Sequence, residues 1–190
     1  MVNTPQLGAP GDGLPWYELF FAKAFFGLYC FKTTTRQALQ KFEEEASLTR
    51  LLLNEFSADD RTRKILVPRV FGIEDSSRNW SVAMLLAHVA IVNKGIHKIV
   101  ESLLREQGGL PIIEIAKLKP PEGSAAEALE RFEQSVANYV AFIKQAETVK
   151  SRATHIHPWF GPMNAHGWHC LAGVHLCIHR RQLGFMAALQ

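Results

Sequence analysis

The chain has 190 residues, 47% of them hydrophobic and 21% charged, and this ordinary globular composition suits one domain spanning residues 1–190. The net charge of +3 is too small to indicate nucleic-acid binding by itself, and we expect no nucleic-acid partner. The first residues also lack the basic start and the apolar run of a secretory signal.

The three cysteines, Cys30, Cys170 and Cys177, are widely spaced and odd in number. Such usage fits a reducing compartment better than a framework of disulfides. Together with the missing secretory signal, it predicts a cytoplasmic protein.

The N-terminal part begins with a Gly- and Pro-rich stretch, residues 1–13, that we expect to be loose. The most apolar window of the chain, Leu14–Phe31, follows it and is interrupted by Glu18 and Lys23. The window is about long enough to span a membrane, but these charges would be costly at its centre. We therefore interpret it as a buried or interface helix and expect no membrane partner.

Aromatic side chains are concentrated in this window: Phe20, Phe21, Phe25, Phe26, Tyr29 and Phe31. Such density is more common in a protein core, and that is our first interpretation. The alternative is an interface that buries these rings in a homodimer.

Four long stretches have the apolar spacing of helices: Pro15–Phe56, Trp80–Glu106, Ser124–Val149 and Asn164–Ala188. Thr33–Thr35 predicts an irregularity in the first stretch, because β-branched residues and local hydroxyl bonds weaken a helix. No stretch has a convincing strand pattern. The sequence therefore predicts an all-α protein, a four-helix bundle with an extended apolar N-terminal helix.

Two histidines on the last predicted helix, His175 and His179, are four residues apart and share its apolar face. His88 lies in the apolar stripe of the second predicted helix, and we expect it to face them. Three imidazoles can hold one metal ion and leave a coordination position open, as catalytic sites do. Neutral imidazole suits zinc, nickel, iron or copper.

The alternative for each inward histidine is a hydrogen-bonded core residue without a metal. The other five histidines give weaker signals: His97, His155, His157, His166 and His169. We place His97 on the solvated side of its helix, and His166 and His169 away from the inner face of the last helix. His155 and His157 lie in a loop and could line the mouth of a pocket. Arg180 and Arg181 could meet an anionic substrate or be ordinary solvated charges.

Two parts of the sequence carry a family resemblance: Trp80-Ser81 with His88 at the start of the second helix, and His157–Pro162, Trp168 and His175-x-x-x-His179-x-x-Gln182 in the last loop and helix. From Trp80 to Met186, the chain resembles the DinB-like (YfiT-like) superfamily of metal-dependent enzymes. The resemblance implies a four-helix bundle with one divalent metal ion (zinc, nickel or iron) at His88, His175 and His179. Characterised relatives include thiol-dependent transferases and isomerases that use low-molecular-weight thiols, while many members have no assigned activity, and no DNA polymerase activity is implied.

Two kinds of function follow. The first is a metal-dependent enzyme, a hydrolase or a thiol S-transferase acting on a small-molecule substrate; beyond the metal ligands, no general acid or base is identified. The second is a non-catalytic bundle that binds a metal or another ligand in a stress response, and the lack of an evident acid or base favours it slightly.

Overall fold

The structure is a computed structural model, and it describes residues 6–120 and 122–190. Within these ranges it contains five α-helices: α1 (Trp16–Lys32), α2 (Thr35–Leu53), α3 (Val82–Leu104), α4 (Ala125–Gln145) and α5 (Ala165–Ala188). The first part of the stretch expected to be loose, residues 1–5, lies outside the described residues.

Helices α2 to α5 form a four-helix bundle, so the predicted fold class is confirmed. Helix α2 packs beside α5, α3 packs beside α4, and α3 and α5 also meet. The sequence of α4 explains how such a helix packs. Its buried residues recur at three- and four-residue steps and therefore form one face of the helix: Ala128, Phe132, Val136, Tyr139 and Ile143.

Helix α3 packs against both α4 and α5. It is long and apolar enough to cross a membrane by length and composition alone, but 61% of its most apolar window is buried inside the protein. Its polar residue Asn93 is buried as well and donates to the Ser135 hydroxyl at 3.2 Å. The helix is therefore surrounded by protein on more sides than its sequence pattern indicates.

The predicted irregularity at the threonines is confirmed as a break between two helices. Helix α1 ends at Lys32, and Thr34 caps α2. The Thr34 hydroxyl accepts from the Gln37 backbone N–H at 3.3 Å, and the Gln37 side chain accepts from the Thr34 N–H at 2.9 Å. This reciprocal capping box satisfies donors that the new helix would otherwise leave free.

Helix α1 lies on the outside of the bundle, where its Cys30 carbonyl meets His166 at the start of α5. The interpretation of its aromatic cluster as core is wrong for most members, since Phe31 is 87% and Phe25 65% exposed. Phe26 is the one large apolar side chain of α1 that is buried. Apolar residues surround α1 on all sides, so one face can pack on the bundle while the others stay outside.

Two short antiparallel ribbons connect the helices, and the sequence did not reveal them. Strand β1 (Ile65–Leu66) pairs with β2 (Asn79–Trp80), and β3 (His155–His157) pairs with β4 (Gly161–Met163). Strands of two or three residues are too short for an alternating pattern to show. Trp80 is the last residue of β2, shortly before α3 begins, and His157 is the last residue of β3, in the connection before α5.

Candidate metal centre

The structure brings His88, His175 and His179 together in the middle of the bundle. The Nε2 atoms of His88 and His175 are 3.1 Å apart, and one ring nitrogen from each of the three residues lies within 4.8 Å of the others. The three ring centroids are 4.5 to 5.1 Å apart. These three residues could therefore hold one metal ion.

A hydrogen bond at Nδ1 fixes the orientation of the His88 ring. Its Nδ1 donates to the Leu118 carbonyl oxygen at 2.8 Å, because a carbonyl can only accept. Leu118 ends a short 3₁₀ turn, Ile115–Leu118, in the loop between α3 and α4. A proton on Nδ1 leaves the Nε2 lone pair of the neutral ring directed at the other histidines.

His179 is oriented in the same way by a side-chain amide. Its Nδ1 lies 2.9 Å from Gln182 Oε1, and the Gln182 amide in turn donates to the Ser77 carbonyl at 2.7 Å. That second bond identifies the oxygen of Gln182 as the atom facing His179, so His179 Nδ1 is the donor. Nε2 of His179 is then also a free lone pair.

His175 differs from the other two. Its Nδ1 is buried and has no hydrogen-bond partner among the described residues. Its Nε2 faces His88 Nε2, which carries a lone pair. Two nitrogens 3.1 Å apart can both lie about 2.1 Å from a single cation, so the close contact fits a shared metal ion.

Burial keeps all three imidazoles neutral near pH 7. It lowers the pKa of His88 to about 4 and that of His179 to about 3, with the neighbouring His88 adding to the effect on His179. The pKa of His175 lies well below its usual value because of burial and then its histidine neighbours. Only the neutral ring offers a lone pair, so these shifts favour metal binding over protonation.

The three histidines line a cavity of about 430 Å³. Apolar side chains of α1, α3 and α5 form most of its wall, and Ile96 and Leu171 are buried examples. Arg181 also lines it, whereas Arg180 forms an ion pair with the buried Glu45. A small molecule entering this space would reach the triad within a mostly apolar enclosure.

His157 lines the same cavity, and the sequence suggested it only as a possible mouth residue. Its Nδ1 accepts from the backbone N–H groups of Trp159 and Phe160, at 3.0 and 3.3 Å. Burial lowers its pKa to about 4. The neutral ring must therefore carry its proton on Nε2. The His-Pro-Trp-Phe turn was the only signal that could have located this residue.

Trp80 is a second cavity residue that sequence reasoning did not assign to the site. Its ring stacks on His179 with 6.1 Å between centroids and lies 5.0 Å from the His88 ring. It is 2% exposed, and its Nε1 has no hydrogen-bond partner among the described residues. Its place one residue before the cap of α3 was the available signal.

His97 and His169 lie away from the triad and have structural partners. The expectation that His97 is solvated is wrong, since it is half-buried and stacks on Phe142 with 4.4 Å between centroids. His169 is fully buried between the Tyr139 hydroxyl and the Thr35 carbonyl. These rings pack the bundle and do not join the candidate site.

Comparisons with known proteins agree with this architecture. The model of a family described as the DinB superfamily matches residues 33–183. No curated protein matches the chain. The crystal structure of TT2238, a four-helix bundle protein, is 24% identical with a TM-score of 0.57, and the match covers 80% of this chain and 98% of that one.

A second solved structure corrects one expectation. The colibactin self-resistance protein ClbS, in complex with a double-stranded DNA, has a TM-score of 0.57 and 12% identity over 83% of this chain and 96% of that one. A protein with this fold thus occurs in complex with DNA, so the prediction of no nucleic-acid partner is wrong. Net charge sums the whole chain and does not exclude a local basic surface.

Proposed function

This chain belongs to the DinB superfamily, and on that premise we propose that it is a metal-dependent enzyme acting on a small molecule. His88, His175 and His179 would be the ligands of one divalent ion. The neutral lone pairs converging from α3 and α5 carry this proposal. Its strongest support is that two of the three rings donate their outer N–H to a carbonyl oxygen, as metal-binding histidines do.

The reaction class follows from the ligand set. When bound, a divalent ion on three uncharged imidazoles would keep its full charge and lower the pKa of a coordinated water or thiol. Hydrolysis and thiol S-transfer are two reactions that such activation serves. Neutral imidazole ligands suit zinc, nickel or iron.

The residues around the triad would bind and orient the substrate. His157 holds a proton on Nε2 beside the triad, and it can donate to an oxygen of the substrate. Lys119 and Arg181 line the cavity and are exposed, so they could attract the acidic groups of a low-molecular-weight thiol. The apolar walls would exclude water from the reacting groups.

A non-catalytic role in binding a metal or ligand, as in a stress response, is the second candidate. The hydrogen bonds of the Glu74 carboxylate favour this candidate. Glu74 lines the cavity but accepts from the backbone N–H groups of Gly11 and Gly13, at 3.1 and 2.9 Å, so it is already engaged. Metal-dependent turnover of any ester, amide or thiol–electrophile pair would exclude this candidate.

Nucleic acid is a further candidate partner, suggested by the DNA complex of ClbS. The sequence isoelectric point of about 8.8 is compatible with it. Fluorescence anisotropy with a labelled DNA duplex at 50 and 200 mM salt tests this candidate. Specific or non-specific binding through phosphates would weaken steeply with salt.

We also propose that the outer face of α1 forms a homodimer with a second copy of the chain. The large side chains that α1 leaves at least 48% exposed are Trp16, Tyr17, Phe20, Phe21, Phe25, Leu28 and Phe31. They expose on the order of 900 Å² of apolar surface, at about 200 Å² for a fully exposed aromatic ring. A stable interface takes about 800 Å² from each partner, whereas the largest apolar patch of a monomer is typically about 300–600 Å².

A cytoplasmic location is part of the proposal. Cys30, Cys170 and Cys177 are all free, and Cys170 is buried. Free buried thiols are stable in a reducing compartment.

Metal analysis tests the proposed function most simply. Protein purified without chelators is compared with the variants His175→Ala and His97→Ala by elemental analysis and by the shift in melting temperature on adding zinc or nickel. We expect about one ion per chain in the wild type and in His97→Ala, and loss of the ion in His175→Ala. Equal metal content in all three proteins would reject the site.

A further inference from the structure

We infer that the cavity binds an apolar small molecule with a single hydrogen-bond-accepting head group, such as a medium-chain carboxylic acid or its ester. The head group would lie at the triad and the apolar body along α1 and α3. The position of the head group rests on the proposed metal site, while the selection for an apolar body rests on the cavity walls alone.

The walls of the cavity favour a ligand with an apolar body. Four branched aliphatic side chains of α3 line the cavity over two turns of the helix: Ile91, Val92, Ile96 and Ile99. Trp168 and Leu171 of α5 line it as well. Each methylene group moved from water into such surroundings gains about 0.8 kcal/mol, or about fourfold in affinity. A polar group placed against these side chains would lose its hydration without gaining equivalent partners.

A donor near the triad selects an acceptor. The Nδ1 of His157 accepts from two backbone N–H groups, so His157 carries its free N–H on Nε2. His157 lines the same cavity as the triad. A carbonyl or carboxylate oxygen would satisfy this donor, whereas a quaternary ammonium group could not.

The N-terminal segment supplies part of this wall. The family match begins at residue 33, yet Ala22, Phe25, Phe26 and Tyr29 of α1 line the cavity. Phe26 packs on Phe160 with 4.6 Å between ring centroids. The apolar wall is therefore completed by a helix that lies outside the matched region.

Two carboxylates hold that helix in place. The buried Glu18 of α1 accepts from Arg69 at 2.9 and 3.0 Å and from the Gly72 N–H at 3.3 Å. Glu74 accepts from two backbone N–H groups of the preceding segment, as described above. Residues 11 to 18 are thus tied to the loop before α3 and Phe26 packs on the loop before α5, which gives the cavity a fixed wall.

The test is calorimetric titration of the full chain, zinc-loaded and zinc-free, with n-alkanoates of two to ten carbons. We expect affinity to rise about fourfold per methylene until the cavity is filled. Decanoate should bind at least tenfold more tightly than decyltrimethylammonium, which has the same chain but no acceptor. His157→Phe, which keeps a ring but removes the N–H, should reduce this preference.

Matched variants locate the binding. Val92→Gln places a polar group in the wall and should weaken decanoate at least tenfold, while Phe20→Gln on the outer face of α1 should leave it unchanged. Affinity independent of chain length, or lost in Phe20→Gln and kept in Val92→Gln, would overturn the inference. Metal content measured on the same samples separates this result from the proposed function, since zinc can bind whether or not decanoate does.

Discussion

His88 and His175 are 87 residues apart in sequence, and their Nε2 atoms lie 3.1 Å apart in the structure. Both rings are buried, and the Leu118 carbonyl fixes the Nε2 of His88 as a lone pair. The neutral His175 ring can meet this lone pair either with a proton on its own Nε2 or with its own lone pair on a shared cation. With His179 completing the set, a shared divalent ion is the arrangement that uses all three nitrogens.

The first prediction concerns Gln182, which orients His179. Gln182→Ala removes the acceptor from His179 Nδ1 and should weaken zinc binding about 10- to 100-fold, as loss of such outer partners does. Competition with a chromogenic chelator measures the affinity. Gln134→Ala, which changes an exposed glutamine on α4, is the matched control and should have no effect. Equal affinity in all three proteins would exclude this role of Gln182.

The second prediction is a loss of stability in mild acid for the metal-free protein. Burial lowers the pKa of His88 and of His157 from 6.5 to about 4. Between those values the unfolded chain binds more protons than the folded one, so the free energy of unfolding falls as pH falls. At pH 5 each residue accounts for about 2 kcal/mol of the loss relative to pH 7.

Urea unfolding at pH 7 and pH 5 measures this difference. His157→Asn should reduce the pH dependence, because the variant has no imidazole to protonate at that position. A free energy of unfolding that is constant or higher at pH 5 would show that these imidazoles are accessible to protons in the folded state.

The third prediction concerns the attachment of α1. Arg69→Ala leaves the Glu18 carboxylate buried without its partner, and such losses cost about 3–5 kcal/mol in buried pairs. Arg69 itself is partly exposed, so we expect the lower part of that range. Hydrogen exchange should show α1 opening while α3 and α4 stay protected. Faster exchange throughout the bundle would mean that α1 is not a separate unit.

The fourth prediction is the homodimer. Sedimentation velocity at several concentrations should show a dimer for the wild type and a monomer for Phe20→Ser combined with Phe31→Lys. The matched control is Leu51→Ser, which changes a residue of α2 that is 62% exposed and lies outside the α1 face. A wild-type monomer at all concentrations would reject the dimer.

Sequence reasoning located the bundle and the triad because both rest on helical spacing. The i, i+4 spacing of His175 and His179 places two rings on one face regardless of how the helices pack. That His88 faces them depends on the packing of α3 against α5, which the apolar stripes of the two helices indicated.

The rest depended on contacts that spacing does not encode. Trp80 and His157 reach the cavity from ribbons of two or three residues, for which no periodicity can be detected. The exposure of the α1 aromatics could not be predicted either, because an apolar helix has the same sequence pattern inside a core and on an interface.

The most direct measurement of the central claim is anomalous scattering from crystals grown with zinc, recorded on both sides of the zinc absorption edge. We expect one strong peak per chain, about 2.0–2.1 Å from a ring nitrogen of each of His88, His175 and His179. No peak at the triad, or a peak bonded to other side chains only, would contradict the metal site.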